Sequence, residues 1–252
     1  MNIQNESGKQ CSPTAIVTGA SGGIGAAVAE KLAKEGYSLV LLGNQGRQKL
    51  EALAEKCSDY GISVLPLAGD LSYGDTAGQL MAQAVSHLGT VDLLVNCAGI
   101  SWIGLLTDMT EEDWHKVINT NLSSVFYCCR FVIPFMVREK AGRILTISSV
   151  WGSQGASCEA AYSASKGGIH ALTKALAKEL APSGIAVNAL ACGMIDTPMN
   201  HCFSPEEVDA ICREIPAGRM GTPEEAADMI ALLAKAPVYF TGQIVTMDGG
   251  WW

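Results

Sequence analysis

The fold is decided by the stretch T-G-A-S-G-G-I-G at positions 18–25, which follows an apolar run at 15–18 and leads into a helical pattern. Glycine reaches positive φ at no steric cost and lets a backbone approach a ligand closely. The free N–H groups and the dipole at a helix start favour an anion. Strand, glycine turn and helix in this order predict a site for a dinucleotide pyrophosphate, with a purely structural tight turn as the alternative. The predicted contacts are Gly19, Ser21, Gly22, Gly23, Ile24 and Gly25.

Apolar runs alternate with helical patterns along the rest of the chain, which is typical of βαβ units. The runs are apolar throughout, so both faces of the sheet should be covered by helices. We therefore predict an α/β fold: a doubly wound, Rossmann-type parallel sheet of about seven strands in a three-layer α/β/α sandwich. Predicted strands are 15–18, 38–42, 63–68, 91–96, 143–147, 185–191 and 243–248, and predicted helices are 25–35, 48–60, 76–88, 110–138, 161–180, 205–214 and 223–233.

Composition predicts one large domain. Of the 252 residues, 48% are apolar and only 17% are charged, so much surface must be buried inside the chain or against other subunits. We expect a polar N-terminal extension at 1–12 and a single domain at 13–252, because no Pro/Ser-rich or charged linker divides the chain.

Several classes of partner are disfavoured. The net charge of −8 repels nucleic acid and anionic lipid, and no apolar run approaches the roughly 20 residues of a membrane span. The polar N-terminus lacks a secretory pattern, so we expect a cytoplasmic protein whose nine cysteines are free thiols. Histidine and cysteine spacing predicts no metal site.

Two later strand ends extend the predicted cofactor groove. Asp70 and Leu71 follow the third strand, and Asn96, Ala98 and Gly99 follow the fourth. Each alone is equally consistent with a turn made by an Asx side chain. Together they line the carboxyl ends of parallel strands, where open α/β sheets bind ligands.

The end of the second strand predicts the type of nicotinamide cofactor. A carboxylate there would bind ribose hydroxyls and repel a 2′-phosphate, but the strand is followed by Asn44 and Arg47 and no acid. These residues favour NADP(H) over NAD(H), unless Arg47 is only a solvated loop residue.

Tyr162 and Lys166 are four residues apart in a predicted helix and so lie on one face. An ammonium beside a phenol favours the phenolate and should lower its pKa from about 10, making the phenol a usable acid. Alone, the pair would more often be a surface contact. A hydroxyl at the end of the fifth strand, Ser149, and Asn121, within a run of amides that interrupts a helix, change that interpretation.

Taken together, T-G-x-x-x-G-x-G, N-C-A-G, Asn121, Ser149 and Y-x-x-x-K resemble the short-chain dehydrogenase/reductase family, in particular its 3-oxoacyl-[acyl-carrier-protein] reductases, over about residues 13–250. The resemblance implies that Tyr162 is the general acid and that Lys166 lowers its pKa and binds the nicotinamide ribose. Ser149 would bond the carbonyl oxygen, and Asn121 would hold a relay water. It further implies that Gly193, Ile195 and Thr197 cover the nicotinamide.

Two positions depart from that family pattern. Cys192 replaces the usual proline before Gly193, and Cys97 replaces a second asparagine. Neither change removes a catalytic group, but each places a thiol near the expected cofactor.

The resemblance leaves the substrate open between a small-molecule or carrier-bound carbonyl compound and a protein. The region around Trp151 and Glu159 is similar to a branch thought to reduce a 5-aminopentanonyl group on a lysine of elongation factor P. An acid there suits a substrate that ends in an ammonium. The generic 3-oxoacyl interpretation leads because that family is larger. A non-catalytic nucleotide sensor would not need Asn121, Ser149, Tyr162 and Lys166 together.

Assembly is expected to be a homotetramer. Aromatic residues at 239–240 and 251–252 lie near the chain end, where burial against another subunit would remove an exposed apolar cluster. The alternative is that both terminal tryptophans pack within the chain beside the active-site loops.

Overall fold

Seven parallel strands form the sheet of the computed structural model, which describes residues 12–252. Their order is β3-β2-β1-β4-β5-β6-β7, so the winding direction reverses between β1 and β4 and opens a crevice beyond their carboxyl ends. The predicted extension at 1–12 lies outside the described residues except for Ser12. The strands are β1 (Thr14–Thr18), β2 (Ser38–Gly43), β3 (Val64–Ala68), β4 (Leu93–Asn96), β5 (Gly142–Ser149), β6 (Ile185–Cys192) and β7 (Ile244–Met247).

Helices cover both faces of the sheet. Alternate residues of one strand enter different cores: Leu39 and Leu41 of β2 pack on one side, and Val40 and Leu42 pack on the other. Helices α1, α2 and α9 cover the first face, and α3, α5 and α7 cover the second. The helices are α1 (Gly23–Lys34), α2 (Arg47–Ser58), α3 (Gly74–Leu88), α4 (Glu111–Ile118), α5 (Ser124–Glu139), α6 (Trp151–Gln154), α7 (Ala160–Leu180), α8 (Pro205–Glu214) and α9 (Pro223–Lys235).

The predicted three-layer α/β fold is confirmed, with differences at the element bounds. Helix α1 begins at Gly23 rather than 25, and β4 begins at Leu93 rather than 91. The second difference has a local cause: the Asp92 carboxylate accepts hydrogen bonds from the backbone and the hydroxyl of Thr14, so it caps the sheet instead of extending the strand. The predicted helix 110–138 is divided by a π-helical turn at Asn119–Ser123, and the short helix α6 was not predicted.

Helices α4 and α5 with the π turn form a stretch, Glu111–Glu139, that is long and apolar enough to cross a membrane by length and composition. A core helix of a soluble protein meets the same criterion, so length and composition alone do not indicate a span. One face of α5 packs into the core against the sheet through Val125, Cys129, Val132 and Met136.

Candidate active site

The glycine turn forms a cradle made of backbone at the start of α1. Gly19 has a φ of 66°, and a Cβ there would lie 2.7 Å from the backbone nitrogen of Ala98. A Cβ on Gly25 would lie 2.2 Å from the Gly19 carbonyl oxygen. Gly22 caps the helix without a side-chain hydrogen bond, so first-turn N–H groups are free for a ligand. These features fit the pyrophosphate of a dinucleotide.

The strand end after β4 lies directly against this cradle. The Thr18 hydroxyl accepts hydrogen bonds from the backbone nitrogens of Cys97 and Ala98, at 3.1 and 3.2 Å. Asn96, just before them, is buried, and its amide contacts the Thr146 hydroxyl at 3.4 Å. Two predicted parts of the groove are therefore joined.

Asp70 forms a turn after β3, as the alternative interpretation anticipated. Its Oδ1 accepts from the backbone nitrogen of Ser72 at 2.9 Å. Burial pushes the pKa of this carboxyl up, but hydrogen bonds from Ser72 and Asn44 together outweigh it and lower the pKa. The next side chain, Leu71, is buried. Asn44 and Asp70 are thus joined at the edge of the crevice.

Arg47 begins helix α2 and is largely exposed. Its Nε lies 2.9 Å from Glu51 Oε1, one helical turn further on. A cofactor phosphate would have to compete with Glu51 for this guanidinium.

The four predicted catalytic residues lie together at the carboxyl edge of the sheet. Asn121, Ser149 and Lys166 are buried. The Ser149 hydroxyl lies close enough to the Tyr162 phenol to lower its pKa. Lys166 Nζ lies 5.5 Å from the centre of the Tyr162 ring and donates to the carbonyl oxygen of Ile147 at 3.0 Å.

Asn121 lies in the π turn and joins two parts of the site. Its Nδ2 donates to the carbonyl oxygen of Ile100 at 2.9 Å and to the Ser165 hydroxyl at 3.1 Å. Its Oδ1 accepts from the backbone nitrogen of Ile100 at 2.8 Å. A Cβ on Gly99 would lie 3.4 Å from that Oδ1 and 3.7 Å from Lys166 Nζ, so this glycine leaves room above the lysine. The relay water stays a prediction.

The predicted lowering of the Tyr162 pKa by Lys166 is wrong. Burial, with a further contribution from the Glu159 carboxylate, raises the pKa of Tyr162 well above its usual value, although the bond from Ser149 opposes this. Burial also lowers the pKa of Lys166 to about 8. The sequence spacing indicates proximity, but it does not reveal that the ammonium itself is poorly solvated.

Two thiols flank the lysine without adding charge. Burial raises the pKa of Cys97 and that of Cys192 to about 12 each, so both are neutral at neutral pH. The two departures from the family pattern therefore leave Lys166 without a thiolate beside it.

The segment predicted to cover the nicotinamide closes the crevice from the β6 side. A Cβ on Gly193 would lie 2.8 Å from Asp248 Cα, and a Cβ on Gly23 would lie 3.5 Å from Thr197 Cγ2. The Ile195 side chain is buried, and the Ile195 backbone carbonyl oxygen accepts a hydrogen bond from Asn200 Nδ2 at 2.6 Å. Thr197 thus reaches the glycine turn.

The substrate side carries a cluster of three tryptophans. The Trp151 ring centre lies 5.2 Å from that of Trp251 and 5.8 Å from that of Trp252. The alternative in which both terminal tryptophans pack within the chain is therefore the arrangement observed. The backbone nitrogen of Trp151 also donates to the Ser149 hydroxyl at 3.2 Å, so the cluster adjoins the catalytic serine.

Glu159 precedes helix α7 and is half-buried. Burial raises the pKa of its carboxyl. Among the described residues, its carboxylate has neither a hydrogen bond nor an ion pair. It does act electrostatically on Tyr162, which places it near the catalytic group.

Comparison with known proteins identifies the family. The model for short chain dehydrogenases matches residues 13–208. The chain belongs to this family. It is 44% identical over 240 residues to an uncharacterized oxidoreductase of Bacillus subtilis, YmfI, covering 94% of this chain and 98% of that protein. It is 39% identical over 238 residues to the 3-oxoacyl-[acyl-carrier-protein] reductase FabG of Staphylococcus epidermidis (94% and 98% covered), and 38% identical over 244 residues to FabG of Thermotoga maritima (96% and 97% covered).

This short-chain dehydrogenase is an NAD(P)-dependent oxidoreductase, and the crevice brings its predicted residues to one edge of the sheet. Sequence reasoning missed one contributor to the site, Ser165, although its spacing from Tyr162 places it one helical turn on. It gave the packing of Trp251 and Trp252 beside the active-site loops only as an alternative.

Proposed function

We propose that this dehydrogenase uses NADP(H) to reduce a ketone or a 3-oxoacyl group to the alcohol. The observation that supports the proposal best is the position of the partly buried Tyr162 beside the buried Ser149 and Lys166, next to a glycine cradle. A bound nicotinamide supplies the hydride, and the chain supplies position and a proton.

Each catalytic side chain has a distinct task. The raised pKa keeps the Tyr162 phenol protonated at neutral pH, so the group holds a proton to donate to the carbonyl oxygen. The Ser149 hydroxyl, which lies beside that phenol, would bind the carbonyl oxygen. Lys166, whose pKa is about 8, can exchange its own proton near neutral pH and so resupply the site with a proton.

The choice of NADP(H) rests on the end of β2. No carboxylate follows Gly43, and Arg47 lies at the first turn of α2 with Asn44 before it. A 2′-phosphate placed there would gain a charge-assisted contact and the favourable end of a helix dipole.

A substrate panel tests the reaction. We expect purified protein to oxidise NADPH in the presence of 3-oxoacyl thioesters, cyclic ketones or amino-ketones. NADPH binding without turnover of any panel member would instead support the nucleotide sensor.

A second candidate is reduction of the 5-aminopentanonyl group on elongation factor P. It is favoured by Glu159, a half-buried carboxylate with no cation beside it among the described residues. Such a carboxylate would bind a terminal ammonium, and the Trp151 ring could contribute a cation–π contact.

Glu159→Gln separates the two candidates. If the substrate is cationic, the variant should raise KM for an amino-ketone about 10- to 150-fold, as expected for one net hydrogen bond to a charged group. KM for an uncharged ketone of the same length should not change. Equal effects on both ketones would exclude an ammonium contact.

The homotetramer is also proposed, with a revised contact surface. The terminal tryptophans contact Trp151, although Trp252 is still 60% exposed, whereas Tyr239 is 99% exposed. Light scattering should give a tetrameric mass that Tyr239→Ser lowers. A monomeric mass for the parent protein would refute the proposal.

A further inference from the structure

A buried histidine supports the turn that follows Ser149, and the proposed reaction does not use it. His170 lies one helical turn beyond Lys166 in α7 and is 7% exposed. Its Nδ1 lies 3.3 Å from the Ser153 hydroxyl of α6. Its Nε2 is buried and has no hydrogen-bond partner.

The backbones of α6 and α7 are in close contact at this point. A Cβ on Gly152 would lie 2.7 Å from His170 Cε1 and 2.8 Å from the Lys166 carbonyl oxygen. A Cβ on Gly167 would lie 3.3 Å from the Gly152 carbonyl oxygen. Glycines on both sides therefore let α6 rest on the turn of α7 that carries the lysine.

The contact between α6 and α7 lies close to Ser149, both along the chain and through one hydrogen bond. Helix α6 begins two residues after Ser149, and the backbone nitrogen of Trp151 donates to the Ser149 hydroxyl oxygen. That donor leaves the serine hydrogen free to point towards the phenol or a substrate. The orientation of α6 therefore sets the orientation of the hydroxyl.

An imidazole at this buried position lowers stability relative to an apolar side chain of similar volume. Buried polar atoms in folded proteins are nearly always hydrogen-bonded, and a buried nitrogen without a partner lowers stability. Leucine or phenylalanine would fill a similar volume without that cost. The feature that only the imidazole supplies is its bond to Ser153.

We propose that His170 is a positioning residue, which through Ser153 holds α6 so that the Ser149 hydroxyl is aligned with the Tyr162 phenol. The inference rests on the proposed reductase function. His170 touches neither reacting atom and acts through α6.

The positioning requires a neutral imidazole. Burial, together with Lys174 and Lys166 of the same helix, lowers the pKa of His170 below its usual 6.5. Helix α6, packed against it, contributes no ionisable side chain. Protonation in acid would add a cation beside two lysines and remove an acceptor from the ring.

Three variants and one control test the proposal. Ser153→Ala removes the partner at an exposed position, so the protein should fold. His170→Phe keeps ring volume without a hydrogen bond, and His170→Asn keeps a polar atom near the place of Nδ1 without titrating. The control is Ser157→Ala, which removes a hydroxyl from the neighbouring loop. This hydroxyl makes no hydrogen bond to α7.

We expect Ser153→Ala and His170→Phe to lower kcat about 3- to 10-fold, the range for one net hydrogen bond, with KM for NADPH unchanged. The double variant should be no slower than the slower single variant. His170→Asn should restore most of kcat. It should also lack the decline of kcat in acid that we expect of the parent. Amide hydrogen exchange over residues 150–155 should be faster in Ser153→Ala than in Ser157→Ala.

Parent-like kcat and parent-like pH profiles in Ser153→Ala and His170→Phe would overturn the positioning role while leaving the reductase function intact. If the parent reduces no substrate, the proposed function fails, and hydrogen exchange alone decides the structural claim. Equal exchange in Ser153→Ala and Ser157→Ala would then overturn it.

Discussion

Backbone forms the cofactor side of the crevice, whereas side chains form its catalytic side. At the start of α1, Gly19 and Gly25 bring chain segments closer than any side chain would allow. Beyond β5, the side chains of Ser149 and Lys166 are buried, and each is hydrogen-bonded to a backbone group of a nearby residue. We therefore expect added atoms to weaken cofactor binding in the first region. In the second region, we expect the removal of polar atoms to lower the catalytic rate.

Removing one oxygen from the catalytic side should have the largest effect. Tyr162→Phe is expected to lower kcat by about 10²- to 10⁴-fold, because it deletes the proton donor. Titration calorimetry should give an almost unchanged NADPH affinity. Tyr60→Phe, at an exposed position just after α2, is the control. A variant that keeps most of kcat would remove Tyr162 from the mechanism.

Adding one carbon to the cofactor side should have the next largest effect. Gly25→Ala places a methyl group 2.2 Å from the Gly19 carbonyl oxygen. We expect NADPH affinity to fall at least about 10-fold and stability to fall by about 1–3 kcal/mol. Gly78→Ala in α3, where a Cβ meets nothing within 4 Å, is the control and should be neutral or stabilising. Unchanged NADPH affinity in Gly25→Ala would contradict the cradle.

The exposed rim of the cofactor side should show a smaller effect, on cofactor choice. Arg47→Ala should reduce the preference for NADPH over NADH about 10-fold, at the low end for a charge-assisted bond because the side chain is exposed. Glu51→Gln, which releases Arg47 from its ion pair, should raise that preference. Arg138→Ala, at another exposed pair, is the control. Equal use of both cofactors by the parent would show that Arg47 does not bind phosphate.

The smallest effect concerns the pH dependence of stability. The folded chain lowers the pKa of Lys166 to about 8, below the usual 10.5. Between these two pKa values the unfolded chain binds more protons than the folded chain, so the free energy of unfolding rises with pH. Burial of the charged amine lowers stability fully below pH 8, and this loss disappears as the pH rises through the range.

Denaturant unfolding checks the sign. The unfolding free energy of the parent minus that of Lys166→Met should increase from about pH 7 to about pH 10. Lys174→Met, at an exposed position of the same helix, is the control. Parallel profiles for the parent and Lys166→Met would show that the amine is solvated.

The two sides also differ in how far the sequence predicts them. Apolar runs and the glycine turn predicted seven strands and the crevice, because both signals are local. The ion pair of Arg47 with Glu51 was available from its spacing of one helical turn, which is a local signal as well.

On the catalytic side, the sequence predicted which residues lie together but not their energetics. Spacing placed Tyr162 near Lys166, but burial of both groups depends on chain segments remote in sequence, and it reversed the expected direction of the Tyr162 pKa. Helix α6 is too short to show a helical period. The approach of Trp251 to Trp151 joins positions far apart in the chain, which no local pattern encodes.

The tryptophan cluster also makes the protein its own optical probe. Three of its five tryptophans have ring centres within 5.9 Å of one another, and they adjoin Ser149. Indole emission overlaps the absorption of a reduced nicotinamide, so the cluster can transfer excitation energy to a cofactor bound in the crevice. Binding of NADPH and departure of its oxidised product would then be followed through ultraviolet excitation of the unlabelled chain.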